Sequence, residues 1–243
     1  MIKIDNIRIS DKPLLNLPTI NLSLEKDSMI GSWKDIDYSN GYIEYERIGT
    51  GQVKSGLYSG KYKLIVGGSV SRARFLYYSS NTFLSSKINS WVFYTGQDVG
   101  SGVYGGLMQF VRLQSIGSEM LDIGEAYWLA YGKHYSTDEK LFLYKGQLGD
   151  PINSVLLWTS EDIFENSNFY NFQLKVYNIG NYPHIAVSQN IQRIGFEVWT
   201  EIYSVNDTSI DKILTEGYIG AGAYQNNIIS TSEHRIDYIQ IYE

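Results

Sequence analysis

Cysteine is absent from all 243 residues. That excludes disulfides, thiolate metal sites and cysteine nucleophiles. Histidine is scarce, and His134, His184 and His234 stand far apart, without the spacing of a paired metal site. Each reads as an ordinary loop or strand-end residue. No run of Lys or Arg occurs, and the formal net charge is −6. A phosphate backbone calls for a basic patch, so a nucleic-acid partner is not expected. No stretch of about 18 apolar residues occurs, so no membrane-spanning helix is expected. The N-terminal MIKIDNIRISDKPLLNLP lacks the continuous apolar stretch of a secretory leader. Gly100-Ser101-Gly102 lacks the Lys-Ser/Thr that completes a phosphate-binding loop. Helical periodicity is missing too. Asp162–Asn168 offers one turn at most, and no fixed-period repeat is apparent.

What is present is a globular composition, 43% hydrophobic and 19% charged, with 21 tyrosines. Tyrosine has a flat apolar body and a polar tip, which suits both sheet surfaces and interfaces. Short aromatic or β-branched segments alternate with Gly, Asn, Asp and Pro, the punctuation a sheet protein needs. The sandwich is expected to begin near Trp33. Strands are read at 42–48, 55–64, 72–78, 90–94, 107–114, 127–131, 140–145, 155–158, 169–177, 185–189, 195–205, 217–222 and 235–242. Thr95–Gly106, with five glycines, reads as a rim loop of the kind where binding residues collect. Roughly thirteen strands fit one two-sheet antiparallel sandwich.

Residues 1–30 differ in character from the remainder of the chain. Ile2, Ile4, Ile7 and Ile9 form a broken strand pattern, and Pro13 and Pro18 interrupt regular pairing. This segment is expected to be a docking arm, or a terminal strand packed on the sandwich. Residues 31–243 are expected to form one domain.

Several segments carry a family resemblance. The strand Gly105-Gly106-Leu107-Met108-Gln109-Phe110-Val111-Arg112 is one. Tyr127-Trp128-Leu129 followed by Lys140-Leu141-Phe142-Leu143-Tyr144-Lys145 is another. Phe172–Tyr177, and Gly217-Tyr218-Ile219-Gly220 with Ile236–Tyr242, complete the set. In this order they resemble the concanavalin A-like lectin and glucanase superfamily, specifically its laminin-G-like and glycanase-associated jelly rolls. The resemblance covers about residues 100–243, and 33–99 more loosely. It implies a jelly-roll β-sandwich. It also implies a structural calcium in some members, with Asp237 where relatives place one ligand. Oxygen donors of that kind suit a hard cation. The superfamily hosts enzymes, lectins and structural modules, so the fold alone does not choose among them.

Hydrolytic relatives place carboxylates on alternate residues of one strand, about 6.5–7 Å apart, within the range a catalytic pair needs. Glu119, Asp122 and Glu125 are spaced by three, which sends successive carboxylates to opposite faces of a regular strand. A bulge at Gly124 would be needed to re-aim one. Glu44 and Glu46 have the right spacing but alternate with Ile43 and Tyr45, as on any solvent-facing strand. Glu197 and Glu201 lie about 13 Å apart along a strand. Catalysis is therefore not expected.

The best binding segment is Phe196–Val205. As a regular strand it puts Glu197, Trp199, Glu201 and Tyr203 on one face. Aromatics interleaved with carboxylates are what stacks on a sugar and fixes its hydroxyls. Arg112, Tyr127 and Tyr131 are expected to join that face if their strands are neighbours.

The expectation is a non-catalytic, lectin-like virion protein (a tail, fibre or capsid decoration) with host-glycan binding through this face. It would be made in a host cytoplasm, need no cofactor beyond a structural calcium, dock on other virion proteins through the arm, and work as part of an oligomer or larger assembly. Two alternatives stay open: a carbohydrate-binding module of a glycan-degrading system, and a laminarinase-type glycoside hydrolase.

Overall fold

A computed structural model of the chain describes residues 20–23, 32–39, 41, 43–48, 59–64, 71–94, 104–134, 139–161, 168–190, 199–226 and 232–242. These form fifteen strands and one 3-10 turn, Met120–Asp122. One sheet runs, edge to edge, β13 (Trp199–Asn206), β12 (Tyr182–Asn190), β11 (Asn168–Ile179), β6 (Ser86–Tyr94), β15 (Ser232–Tyr242), β4 (Ser59–Leu64) and β3 (Ile43–Ile48). An eighth strand, β1 (Ile20–Ser23), pairs with β15 off this path. The second sheet runs β10 (Ser154–Thr159), β9 (Glu139–Gln147), β8 (Glu125–His134), β7 (Tyr104–Leu113), β14 (Tyr218–Asn226), β5 (Arg72–Tyr78) and β2 (Trp33–Asp37). All pairing is antiparallel. The fold is the expected two-sheet jelly-roll sandwich.

β2 starts at Trp33, near where the sandwich is expected to begin, although the individual strands read from sequence start at Tyr42. Residues 20–23 fall inside the segment expected to be a docking arm or a packed terminal strand, and Leu22 packs into the core. Residues 1–19 and 24–30, the rest of that segment, lie outside the described residues, as do 95–103 of the expected rim loop. β7 begins at Tyr104, inside that loop as read from sequence.

The core lies between the sheets, built from one side of each alternating strand. Phe172, Leu174 and Val176 of β11 meet Tyr127, Leu129 and Tyr131 of β8 and Leu141 and Leu143 of β9. Tyr131 stacks on Phe172 across the sandwich, centroids 5.3 Å apart. A polar tie lies in the same layer. The Ser90 hydroxyl donates to Gln109 Oε1 at 2.7 Å and lies 3.0 Å from the Tyr131 hydroxyl.

The seven-stranded sheet is buried on its other side as well. Phe75, Tyr77, Met108, Phe110, Trp128, Phe142, Tyr144 and Tyr224 form a second cluster there with Tyr38, Met120 and Ile123. Glycine makes this packing work on β14. A Cβ on Gly222 would sit 2.2 Å from the Arg74 carbonyl oxygen and 2.5 Å from Phe75 Cβ, and one on Gly220 would meet Phe110 at 2.7 Å. With no side chain between them, Phe75 of β5 and Phe110 of β7 reach over β14 and meet edge-to-face at 5.2 Å.

One end of the sandwich is closed by residues 207–217. Buried Asp207 accepts from Tyr127 Oη at 2.6 Å and from the Ser209 backbone at 3.0 Å. Buried Lys145 lies 3.6 Å from Asp207 Oδ2 and 2.7 Å from Asp211 Oδ1. Burial pushes the Asp207 carboxyl up. Hydrogen bonds from Ser209 and Tyr127, with the Lys145 charge, more than offset this and hold it below the usual value.

Candidate functional site

The eight-stranded sheet is polar on its outer side. In β11, Asn171, Gln173, Lys175 and Tyr177 alternate with the core residues, so they face outward. Cross-strand register carries that face across the sheet. Gln240 of β15 pairs with Asn89 of β6, Asn89 with Gln173, Gln173 with Ser188 of β12, and Ser188 with Glu201 of β13. Five hydrogen-bonding side chains thus form a straight row, about 19 Å long at the usual strand spacing.

Three links in the row are polarised in one direction. Gln173 Nε2 donates to Asn89 Oδ1 at 2.8 Å, Asn89 Nδ2 to the Tyr242 hydroxyl at 3.3 Å, and that hydroxyl to Gln240 Oε1 at 3.2 Å. Asn89 and Gln173 are buried in the floor, while Glu201 is exposed at the edge. One step along β11 from Gln173, Asn171 is 1% exposed and neither of its amide atoms has a hydrogen-bond partner. Leaving such a group unsatisfied costs on the order of 1–3 kcal/mol.

The parallel row beside it is Tyr242, Lys87, Lys175, Ala186 and Ser204. Beyond that, Tyr177 pairs with His184 and His184 with Asn206. The Tyr177 and His184 rings are 4.9 Å apart, and His184 Nδ1 lies 2.7 Å from Asn206 Oδ1. Aromatic faces, amides, hydroxyls and ammonium groups therefore share one surface. That combination can stack on a sugar ring and fix its hydroxyls.

The residues singled out from sequence divide. Trp199 and Glu201 lie on this face, at its β13 edge. Tyr203 does not. Between Val187 and Ser188 the register slips by one residue, so Tyr203 opposes core residue Val187 while Glu201 opposes outward Ser188. This bulge breaks the regular alternation. Tyr203 turns inward, stacks on Trp158 at 4.8 Å and donates to the Leu157 carbonyl at 3.3 Å. Glu197 lies outside the described residues.

Arg112 does not reach the face either. It is 0% exposed and adopts the left-handed conformation, φ 56°, where β7 and β14 slip register. Its guanidinium donates to the carbonyls of Leu84 at 2.9 Å and Ile213 at 2.7 Å, and to Asn178 Oδ1 at 2.8 Å. Burial lowers its pKa, yet it stays charged and ties two loops to the end of β11. Tyr127 and Tyr131 face the core. Asp237 is buried at the register slip of β15 between Ile236 and Ile239. No cluster of three or more carboxylate or imidazole groups suited to a metal ion occurs among the described residues. Glu119, Asp122 and Glu125 sit around the 3-10 turn on the other sheet's side, all three exposed. Glu44 and Glu46 lie on edge strand β3, where Glu46 pairs with Lys61 at 2.6 Å.

Asn89, Gln173, Gln240, Lys87 and Tyr242 were not singled out from sequence. The available signal was strict alternation of polar and apolar residues in β11, which marks one wetted face.

No family model and no curated protein matches the sequence. Solved structures do match in fold. An alginate lyase from Aplysia kurodai is 11% identical with a TM-score of 0.56, over 92% of this chain and 98% of that one. The carbohydrate recognition domain of Emp46p is 12% identical with a TM-score of 0.51, over 87% and 88%. A Bacillus subtilis protein with a galectin-like fold is 13% identical with a TM-score of 0.52, over 93% and 96%. This chain shares the lectin-like β-sandwich fold of these proteins, at identities where the likeness concerns the fold alone.

Proposed function

We propose that this chain is a non-catalytic glycan-binding protein whose site is the outer face of the eight-stranded sheet. The observation that carries the reading is the register-aligned row Gln240, Asn89, Gln173, Ser188 and Glu201. Amides and hydroxyls in line, flanked by Tyr242, Tyr177 and Trp199, match the alternating apolar and hydroxyl faces of an extended oligosaccharide. The buried, unpartnered amide of Asn171 in the same floor supports it. Proteins of this fold include a carbohydrate recognition domain and an alginate lyase, so sugar ligands are at home on such sandwiches.

The non-catalytic part rests on the row itself, in which Glu201 is the single carboxylate. A two-carboxylate hydrolysis needs a second within about 5–9.5 Å. The setting on a virion surface comes from the sequence reading, and mass spectrometry of purified particles tests it separately; particles without this chain would remove that setting and leave the binding reading intact.

The test of binding is a glycan-array screen of the full chain with Gln173→Ala and Trp199→Ala beside it. A specific hit weakened at least tenfold by Gln173→Ala is expected, with a smaller loss for Trp199→Ala at the rim. No hit, or a hit indifferent to Gln173, would overturn the site. New chain ends appearing in the bound glycan on incubation would overturn the non-catalytic part.

A further inference from the structure

We propose that two copies of this chain join antiparallel along β10, an edge of the seven-stranded sheet, to form one continuous fourteen-stranded sheet.

A sheet edge offers unpaired backbone groups to any strand that meets it, and charged side chains are the usual deterrent. Three of the four strands that end the two sheets carry that deterrent. β2 holds Lys34, Asp35 and Asp37, β3 holds Glu44, Glu46 and Arg47, and β13 holds Glu201. β1, paired on one side to β15, is four residues long and sets Leu22 in the core. β10, Ser-Val-Leu-Leu-Trp-Thr, carries no charge, and among the described strands it pairs with β9 alone. Val155 is 53% exposed, Leu156 43%, and Ile152 just before the strand 59%. On β13, the neighbouring edge of the other sheet, the exposed residues are Thr200, Glu201, Ser204 and Asn206, all polar. An uncharged edge with exposed large apolar side chains is peculiar to β10 among the described strands.

Symmetry and charge fit a second copy to this edge. Antiparallel pairing of one strand with itself is isologous, so each copy offers the strand that the other needs. Such pairing sets like charges close together on a charged strand; on β10 there are none to meet. Between residues 150 and 161 the charged residues are Asp150 and Glu161. Antiparallel pairing sends the two Glu161 side chains to opposite ends of the seam. Asp150 is buried, and its carboxylate accepts from the Ile152 backbone at 3.0 Å and from Asn153 Nδ2 at 2.9 Å. The register with β9 slips between Leu156 and Trp158. There the Leu157 carbonyl accepts from Tyr203, and Trp158 stacks on the same ring. This pins β10 to β13 and centres the new pairing on Val155 and Leu156, ahead of the slip.

The twofold axis relating antiparallel strands of one sheet is perpendicular to it, so both copies turn the same face outward. Glu201 ends the polar row on β13, beside β10. The two rows therefore lie on one side of the dimer and run toward each other across the seam. On the glycan reading of that face, on which this consequence alone rests, one polymer engages both rows. Linking two sites in this way strengthens binding without any new contact.

The test is analytical ultracentrifugation of the full chain over a concentration series. A mass of two chains is expected, falling toward one on dilution. Val155→Lys and Leu156→Lys should each raise the dissociation constant at least tenfold. Leu121→Lys, at an exposed leucine on the 3-10 turn, should leave it unchanged. The chain has no cysteine, so Leu156→Cys should yield a disulfide-linked dimer on mild oxidation and Leu121→Cys should not. The cysteine variants add no charge, so they decide the matter even where a lysine variant melts early. A monomer at every concentration would overturn the dimer. So would a dimer indifferent to both lysines and lacking the Leu156 cross-link. Alginate, laminarin and xylan, each beside its trisaccharide, then probe the shared display. A polymer that binds wild type should bind Leu156→Lys at least tenfold more weakly, and its trisaccharide equally well. Equal polymer binding would overturn the shared display and leave the dimer standing. Failure of every sugar to bind would overturn the glycan reading, and the dimer would still stand.

Discussion

On the seven-stranded sheet, the residues pointing away from the sandwich core are Phe75, Tyr77, Met108, Phe110, Trp128, Phe142, Tyr144 and Tyr224, nearly all fully buried. On the eight-stranded sheet, the equivalent positions hold Lys87, Asn89, Asn171, Gln173, Lys175, Ser188, Gln240 and Tyr242. The first surface is a second core, with Trp128 stacked on Tyr144 at 4.4 Å and edge-on to Tyr224 at 5.3 Å. The second is a chain of amides and phenols, costly to bury and of little use to stability, since a net hydrogen bond contributes only about 1 kcal/mol. The contrast teaches that the two sheets divide the labour. One carries the extra hydrophobic burial, and the other keeps its outer positions polar, as the proposed binding face requires.

The sharpest way to break this division is to attack the aromatic face. Trp128→Ala should cost about 3–5 kcal/mol, read as a shifted midpoint in denaturant unfolding. Gly222→Ala comes next, at roughly 1–3 kcal/mol, because its Cβ collides with the Arg74 carbonyl and Phe75. If either left stability unchanged, the second-core description would fail.

Acid probes the ties between the sheets. His234 is buried, and burial pushes its imidazole down to about 3. Its unfolded value is near 6.5, so between pH 6.5 and 3 the unfolded chain binds a proton that the folded chain refuses. Stability should therefore fall as pH drops through that window, by at most about 1.4 kcal/mol per unit from this group. Asp207 has a lowered folded value, so its contribution is present above the unfolded carboxylate range and is lost as pH falls through the folded one. Asp207→Asn should destabilise at pH 7 and flatten the acid end of the profile. His234→Gln should flatten the middle. Unfolding curves across pH distinguish the two.

The polar face should behave in the opposite way. Gln173→Ala is expected to change stability by about 1 kcal/mol, through the lost bond to Asn89, while removing most ligand affinity. Trp199→Ala, half-buried at the edge, should change stability least of all. A large stability loss from Gln173→Ala without a binding loss would mean that the row is structural and the division does not hold.

Some of this was legible in the chain. In β8, Ala126 to Tyr131 runs without a charged residue, which is the mark of burial on both faces. In β11, the alternation of Asn171, Gln173, Lys175 and Tyr177 with Phe172, Leu174 and Val176 marks one wet face. From such patterns the all-β class and most strands follow, because side-chain period and turn chemistry are local. β1 was hidden by Pro13 and Pro18 just before it and by its four-residue length. The face drawn for Trp199, Glu201 and Tyr203 assumed a regular strand, and the bulge opposite Val187 and Ser188 sends Tyr203 inward.

The sequence by itself determined that the chain pleats, where it turns and which strands must bury one side or two. Only the tertiary structure decided which strands lie beside which. The polar row takes residues from positions as distant as Asn89 and Gln240. The burial of Arg112 depends on carbonyls from Leu84 and Ile213. Both rest on long-range register and on single-residue slips, and these are set by how two sheets close over a common core, which no local pattern encodes.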